Sequence, residues 1–138
     1  MTLLDAYALV AFLVGGPAAP QVRGLLREGE TRVATINLAE ALDVSKRLYG
    51  LPVTLAMGHL RPLLGGPLGV VPLDMAIAEQ AADVRARHYH RASRPISLGD
   101  AVLIASAAPS SRVATSDPDV LAVCRAEAVA IVELPGQG

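Results

Sequence analysis

The N-terminal stretch Met1-Thr-Leu-Leu-Asp-Ala-Tyr-Ala-Leu-Val-Ala-Phe-Leu-Val14 decides the fold of this chain. Its paired leucines, Leu3 and Leu4, predict a short buried strand, and the alanine-rich apolar run of residues 6–14 is long enough to predict a helix. Asp5 therefore lies at a strand-to-helix junction. Because ligands of open α/β sheets bind at the carboxyl ends of the strands, Asp5 is the first candidate site residue.

Strands and helices alternate along the rest of the chain. The predicted strands are residues 2–5, 31–36, 69–73, 113–114 and 129–134. The predicted helices are residues 6–14, 20–28, 38–49, 53–61, 75–90, 98–108 and 118–126, with N-caps at Asn37, Asp74 and Ser97. Without hairpin turn signals, this alternation predicts a three-layer α/β/α fold around a central parallel sheet of four to five strands. We expect a single domain over residues 1–135 and a tail at residues 136–138.

The helix after Asn37 is predicted to bury one stripe of side chains. The members of that stripe are Leu38, Ala41, Leu42, Ser45 and Leu48. Glu40 falls on the opposite side of the helix, together with Asp43 and Arg47, whose spacing suits a salt bridge.

Composition limits the classes of protein to which the chain can belong. With 138 residues, 52% of them hydrophobic, and a mean hydropathy of +0.43, the chain is long and apolar enough to fold around a core. A net charge of -1 gives no overall attraction to nucleic acid, so an RNA contact would need a local basic patch or a metal ion. The single cysteine, Cys124, excludes an internal disulfide, and its apolar surroundings predict a buried thiol. We expect a cytoplasmic protein without a membrane segment, because no run approaches roughly 18 apolar residues.

Four acidic residues are predicted at one edge of the sheet. Asp5 and Asp117 follow strands directly, whereas Glu40 and Asp100 lie in the first turns of helices. Two carboxylates about 5 Å apart repel each other by roughly 3 kcal/mol at an effective dielectric constant near 20. A cluster of four therefore indicates a bound cation, and oxygen ligands without His or Cys spacing favour Mg²⁺ or Mn²⁺.

Each of these acids also has an ordinary structural explanation. Asp5 and Asp117 are good N-caps, Asp100 completes a near capping box with Ser97, and Glu40 suits a solvated helix surface. A fifth acid, Asp119, either binds the cation through water or interacts with the dipole of its helix.

Four short segments, taken in order, resemble the PIN domain, and most closely the VapC-type ribonuclease toxins of bacterial toxin–antitoxin pairs. The matching segments are Leu3-Leu-Asp-Ala-Tyr-Ala-Leu9, Ile36-Asn-Leu-Ala-Glu40, Ser97-Leu-Gly-Asp-Ala101 and Ala114-Thr-Ser-Asp117. The resemblance covers essentially the whole chain. It implies that the catalytic and metal-binding acids for Mg²⁺ or Mn²⁺ are Asp5, Glu40, Asp100 and Asp117.

The resemblance also concerns the residues around these acids. Thr115 matches a hydroxyl residue that often precedes the last acid by two positions, and with Asp119 it is a candidate accessory residue. Ala6 and Tyr7 stand where the family often has Ser or Thr, and Ser116 stands where a basic residue is common. Tyr7 could stack on a nucleobase or pack against its neighbours.

An arginine-rich segment could hold the RNA backbone. The candidate RNA-binding residues are Arg85, Arg87, Arg91 and Arg94. The alternative is that these residues belong to a solvated helix end, where cations offset the helix dipole.

The leading hypothesis is a metal-dependent endoribonuclease that hydrolyses RNA phosphodiester bonds as the toxin of a toxin–antitoxin pair. The resemblance implies a small antitoxin protein as partner and a homodimer, for which the apolar residues 53–64 are a candidate face. The alternative is a catalytically inactive PIN-like binding module that acts through a protein or RNA partner. Two phosphotransfer classes fit poorly. A dehalogenase-type phosphatase needs an aspartate at the position of Tyr7, and a receiver domain needs a late lysine, whereas Lys46 is the only lysine.

Overall fold

A computed structural model describes residues 1–107 and 109–136 of the chain. These residues form five strands: β1 Thr2–Leu4, β2 Thr31–Ala34, β3 Leu68–Val71, β4 Arg112–Thr115 and β5 Ala130–Glu133. The α-helices are α1 Ala6–Val14, α2 Ala19–Glu28, α3 Thr35–Tyr49, α4 Val53–Leu60, α5 Met75–His88, α6 Leu98–Ala105 and α7 Pro118–Ala126. A 3₁₀ turn, Arg61–Leu63, follows α4.

The five strands form one parallel sheet in the order β3-β2-β1-β4-β5. The first strand is therefore the central one, with Leu3 opposite Arg32 of β2 and Val113 of β4. Every strand ends at the same edge of the sheet, which confirms the predicted α/β/α class.

Helices cover both faces of the sheet, and alternate residues of each strand point to opposite faces. Leu4 belongs to a core with residues of α1, α2, α3 and α4, including the buried Leu9. Leu3 belongs to a second core with residues of α5, α6 and α7, including the buried Leu103. Cys124 lies in this second core, as predicted, and burial raises the pKa of its thiol to about 11.

The start of α3 differs from the prediction. Strand β2 ends at Ala34 rather than Ile36, and Ala34 takes the N-cap position with an extended backbone and no side-chain cap. The prediction that Asn37 caps this helix is wrong. Asn37 lies within the first turn, buried, because its amide hydrogen-bonds Glu40 and the carbonyl of Gly99 instead.

The buried stripe of α3 also differs at its C-terminal end. Asn37, Ala41 and Ser45 are buried, and Leu38 and Leu42 are partly buried. Leu48 is 64% exposed, so its predicted burial is wrong. Leu48 lines the open groove at the carboxyl edge of the sheet instead of packing in the core.

The remaining differences concern the ends of elements. The bounds predicted for α1 and α7 are confirmed. Helices α5 and α4 are each shorter than predicted, since they end at His88 and Leu60 rather than at residues 90 and 61. Helix α6 ends at Ala105, and Ala108, to which it was extended, lies outside the described residues. Two residues of the predicted tail, Gln137 and Gly138, also lie outside them.

No single helix in the described part of the chain is long and apolar enough to cross a membrane. Helices α1 and α2 together have the necessary length and composition, but they meet at a bend of 106°. The middle of α1, from Ala8 to Ala11, is buried in the core.

We expect Leu103→Ala to lower the free energy of unfolding by about 3 kcal/mol, because Leu103 is fully buried and the truncation leaves a cavity. The matched substitution Leu98→Ala, at a position 55% exposed on the same helix, should change it by less than about 0.5 kcal/mol. Urea unfolding of both variants checks the difference. Equal losses would contradict the assignment of α6 to the core.

Candidate functional site

A groove of about 590 Å³ opens at the carboxyl edge of the sheet. All four predicted acids line it, beside the amide of Asn37. The rest of the lining is largely apolar and includes Tyr7, Val10, Val44, Leu48 and Tyr49. Among the described residues that line the groove there is no lysine, arginine or histidine. The fold thus brings together the four acids, and their roles in catalysis and metal binding stay predictions.

The three aspartates of the groove all hydrogen-bond to helix N-termini. Oδ1 of Asp5 accepts from the backbone N–H of Ala8 at 2.7 Å, at the start of α1. Oδ1 of Asp117 accepts from the backbone N–H of Asp119 at 2.8 Å, at the start of α7. The capping explanation and the shared-edge explanation therefore both hold for these residues, since parallel strands place the starts of these helices at one edge.

Asp100 is held by the capping box of α6. Its Oδ2 accepts from the backbone N–H of Ser97 at 3.0 Å, and its own N–H donates to the Ser97 hydroxyl at 3.0 Å. Both bonds fix the carboxylate against the first turn of the helix.

Glu40 lies on the groove and not among the solvated residues of α3. Its Oε1 accepts from Nδ2 of Asn37 at 3.1 Å. Glu40 is partly buried, whereas Asp43 and Arg47, which form an ion pair at 3.1 Å, are exposed. Of the two explanations considered for Glu40, the position at the sheet edge therefore holds and the solvated helix surface does not. The buried stripe of α3 runs through Asn37, which leaves Glu40 flanking it on the groove side.

Asn37 is the site residue that sequence reasoning missed. It was interpreted as a cap, although its position three residues before Glu40 on one helix already allowed a contact between the two side chains. Its amide also donates to the carbonyl oxygen of Gly99 at 3.2 Å and so joins α3 to α6.

Thr115 links two of the aspartates at the end of β4. Its side chain is fully buried, and its Oγ1 accepts from the backbone N–H of Asp117 at 3.1 Å. A hydrogen bond between Thr115 and Asp5 lowers the pKa of Asp5. The backbone N–H of Asp119 donates to the Asp117 carboxylate that caps α7, and the Asp119 carboxylate raises the pKa of Asp100.

The acids disfavour one another's ionisation. Burial is the main reason that the pKa of Asp5 is raised to about 6, and the negative charges of Asp100 and Asp117 add to it. Burial also raises the pKa of Asp100, with Asp117 contributing. Burial raises the pKa of Glu40, and Asp100 again contributes.

The four acids offer only oxygen atoms as ligands, and no cationic side chain among the described lining residues offsets their negative charge. Such a set of ligands suits a hard divalent cation. No three acidic, histidine or cysteine side chains in residues 1–107 and 109–136 stand at the spacing that would hold a metal ion. The carboxylates would therefore have to turn toward a common point to bind one.

The arginine-rich segment lies outside the groove wall. Arg85 donates to the carbonyl of Ile96 at 3.2 Å and lies 4.3 Å from the ring centroid of Tyr89. Arg87 forms an ion pair with Glu127. Contacts with RNA at Arg85, Arg87, Arg91 and Arg94 stay predictions.

Tyr7 is one of the apolar residues that line the groove. Its ring lines the groove, and its hydroxyl donates to the carbonyl oxygen of Pro135 at 2.7 Å. The hydroxyl thus fastens the segment after β5 to the start of α1.

The family model of the PIN domain matches residues 2–126. Among solved structures, the chain is similar to a toxin–antitoxin complex from Klebsiella pneumoniae, with 18% identity over 88% of this chain and 91% of that chain and a TM-score of 0.65. It is similar to a DNA-bound VapBC from Salmonella typhimurium, with 16% identity over 96% of each chain and a TM-score of 0.70. A third is a sarcin–ricin loop cleaving VapC toxin of Mycobacterium tuberculosis, with 17% identity over 99% of this chain and 91% of that chain and a TM-score of 0.63. No curated protein matches the sequence. At these identities the likeness to solved structures concerns the fold.

We expect Asp5→Asn to stabilise the cation-free protein at neutral pH. The pKa of Asp5 is about 6 in the folded chain against an ordinary 3.8, so the folded state holds this proton more firmly than the unfolded state. Stability therefore falls as the pH rises from about 4 to about 6, and the loss of about 3 kcal/mol persists above that range. Asparagine cannot ionise, but it can still accept the N–H of Ala8.

Urea unfolding with EDTA, at about pH 4 and about pH 7.5, measures this effect. The variant should gain stability relative to the wild type mainly at the higher pH. A difference between the two proteins that does not change with pH would contradict the burial of an ionisable Asp5.

Proposed function

Because the chain belongs to the PIN domain family, whose members are nucleases, we propose that it is a metal-dependent endoribonuclease and the toxin of a toxin–antitoxin pair. The observation that carries the proposal is the groove lined by Asp5, Glu40, Asp100 and Asp117 at the carboxyl edge of the sheet. These are the acids at which the sequence matches the family's segments. The reaction is hydrolysis of an RNA phosphodiester bond by water, without a covalent enzyme intermediate.

Mg²⁺ or Mn²⁺ is the proposed cofactor, held by Asp5, Glu40, Asp100 and Asp117. When bound, such a cation supplies Lewis acidity toward a phosphate oxygen and toward the attacking water. The all-oxygen donor set and the raised pKa values of Asp5, Glu40 and Asp100 support this assignment.

The chain's own residues position the carboxylates and keep them partly desolvated. Helix N-termini fix the three aspartates, and Thr115 links Asp5 to the backbone of Asp117. Without a cation, four carboxylates repel the phosphates of RNA. Cation binding should therefore precede productive RNA binding. Asp119, in the first turn of α7, is a candidate accessory acid.

RNA as the substrate class rests on the family resemblance and on the structural neighbour that cleaves the sarcin–ricin loop. The groove wall has no cationic side chain among the described residues. We therefore assign contacts with the RNA backbone outside the groove to the arginine-rich segment. The residues proposed for these contacts are Arg85, Arg87, Arg91 and Arg94.

A small antitoxin protein is the proposed partner, because structural neighbours are toxins solved in complex with antitoxins. We also propose a homodimer. Its candidate face is residues 53–64, where Val53 is 46% exposed and Leu55 is 57% exposed. An RNA substrate places the protein in the cytoplasm.

One observation favours a second candidate, a PIN-like module without catalysis that acts through a protein or RNA partner. In the described part of the chain, no three acids stand at metal-binding spacing. The two experiments below separate the candidates, because only the enzyme requires a functional cation site.

We expect Asp100→Asn and Asp5→Asn each to lower the rate of RNA cleavage by more than about 100-fold, because each removes a proposed cation ligand. Asparagine keeps the helix cap at both positions. The matched control is Asp74→Asn, since Asp74 caps α5 through the N–H of Ile77 and does not line the groove. Cleavage of a mixed RNA substrate is followed with Mn²⁺. Unchanged rates in both groove variants would exclude the assignment.

We expect Mn²⁺ to raise the melting temperature of the wild type. A ligand at about 100 times its Kd stabilises the folded state by about 2.7 kcal/mol, which is roughly 10 °C for a domain of this size. Asp5→Asn and Asp100→Asn should lose most of the shift, whereas Asp74→Asn should keep it. If the wild type does not shift, or if the groove variants shift as it does, the binding-module alternative is favoured.

A further inference from the structure

The amide of Asn37 is placed in a way that neither packing nor capping explains. The residue is 2% exposed in the first turn of α3. Its Nδ2 donates to Oε1 of Glu40 at 3.1 Å and to the carbonyl oxygen of Gly99 at 3.2 Å. Both partners are acceptors, so only the amino group of the amide can face them. The orientation of the side chain is thereby fixed.

The other half of this amide is not satisfied. Oδ1 of Asn37 is buried and has no hydrogen-bond partner among the described residues. A buried polar group that is only half satisfied is a less favourable core residue than an apolar side chain of the same size. The hydrogen bond to Gly99 joins α3 to α6, and the hydrogen bond to Glu40 is the contact that directs the same amide to the groove.

Gly99 confines the same carboxylate from the side of α6. A Cβ atom at Gly99 would stand 2.9 Å from Cδ of Glu40 and overlap its Oε1. Only glycine leaves room for the carboxylate at this point. The carboxylate of Glu40 therefore lies between the Asn37 amide and the backbone of Gly99, one residue before Asp100.

We infer that Asn37 and Gly99 form a clamp that holds the carboxylate of Glu40 in the acidic groove beside Asp100. Asn37 is a positioning residue, since it acts through Glu40. A glutamate has several rotatable bonds, and ordering them costs entropy that a prearranged hydrogen bond offsets before a cation arrives. The inference rests on the proposed function in treating Glu40 as a cation ligand.

The test separates positioning from stability by using Asn37→Leu, which keeps the volume and removes both the donor and the unsatisfied acceptor. Urea unfolding with EDTA should show stability equal to or above that of the wild type. Calorimetric titration with Mn²⁺ should show an affinity about 10-fold lower, as for Glu40→Ala, which removes the carboxylate that Asn37 holds. The double variant should lose no more than Glu40→Ala alone. An equal further loss from Asn37→Leu in the Glu40→Ala background would overturn the clamp.

Gly99→Ala tests the other side of the clamp, because its methyl group displaces the Glu40 carboxylate without changing any charge. Its Mn²⁺ affinity should fall to a similar extent. Gly58→Ala is the matched control, since Gly58 lies in α4 and a Cβ there meets nothing within 4 Å. Wild-type affinity in Gly99→Ala would overturn the role of Gly99.

A measurement without metal distinguishes failure of the clamp from failure of the proposed function. In ¹H–¹⁵N spectra of the cation-free protein, Glu40→Ala, which removes the accepting oxygen, should shift the side-chain amide resonances of Asn37. Unchanged resonances overturn the clamp. A wild type that binds no Mn²⁺, together with shifted resonances, overturns the proposed function and supports the clamp.

Discussion

The parallel pairing of β1 with β2 on one side and β4 on the other is the constraint on which the rest of the structure depends. A strand in the middle of a parallel sheet is covered by helices on both faces, so its residues must be apolar on both sides. Leu3 and Leu4 meet this requirement and belong to the two different cores. The residue that follows them, Asp5, is then placed at the centre of the carboxyl edge.

The same geometry explains why helix caps and a candidate metal site coincide. In a parallel sheet, each helix that follows a strand begins at the edge where that strand ends. The aspartates that cap α1 and α7 therefore lie at the same edge of the sheet. The hydrogen bonds to the helix N-termini offset part of the cost of burying carboxylates. They do not remove the mutual repulsion that helps to keep the pKa of Asp5 near 6.

The lining of the groove combines acidic and apolar side chains. The four acids and the amide of Asn37 share it with aromatic and aliphatic residues, including Tyr7 and the exposed Leu48. On α3, Glu40, Val44 and Leu48 follow one another at intervals of four residues, so acidic and apolar side chains occupy the same face of the helix. A cation would neutralise the acids but would leave the apolar residues uncovered.

Much of this protein follows from its sequence. The alternation of strands and helices determined the parallel α/β/α class, and the junctions after Leu4 and Thr115 determined that Asp5 and Asp117 share an edge. These features are local, because apolar runs, prolines and capping residues act within a few positions. Four short segments in the right order also identified the family, which the match over residues 2–126 confirms.

Other features were decided only by the tertiary structure. The sequence left Glu40 open between the sheet edge and a solvated helix surface, and it interpreted Asn37 as a cap because it predicted that α3 begins at residue 38. That helix begins at Thr35, and α6 then approaches it closely enough for Gly99 to contact Glu40. A contact between residues 62 positions apart depends on how two helices pack, and helical periodicity within either one carries no information about it.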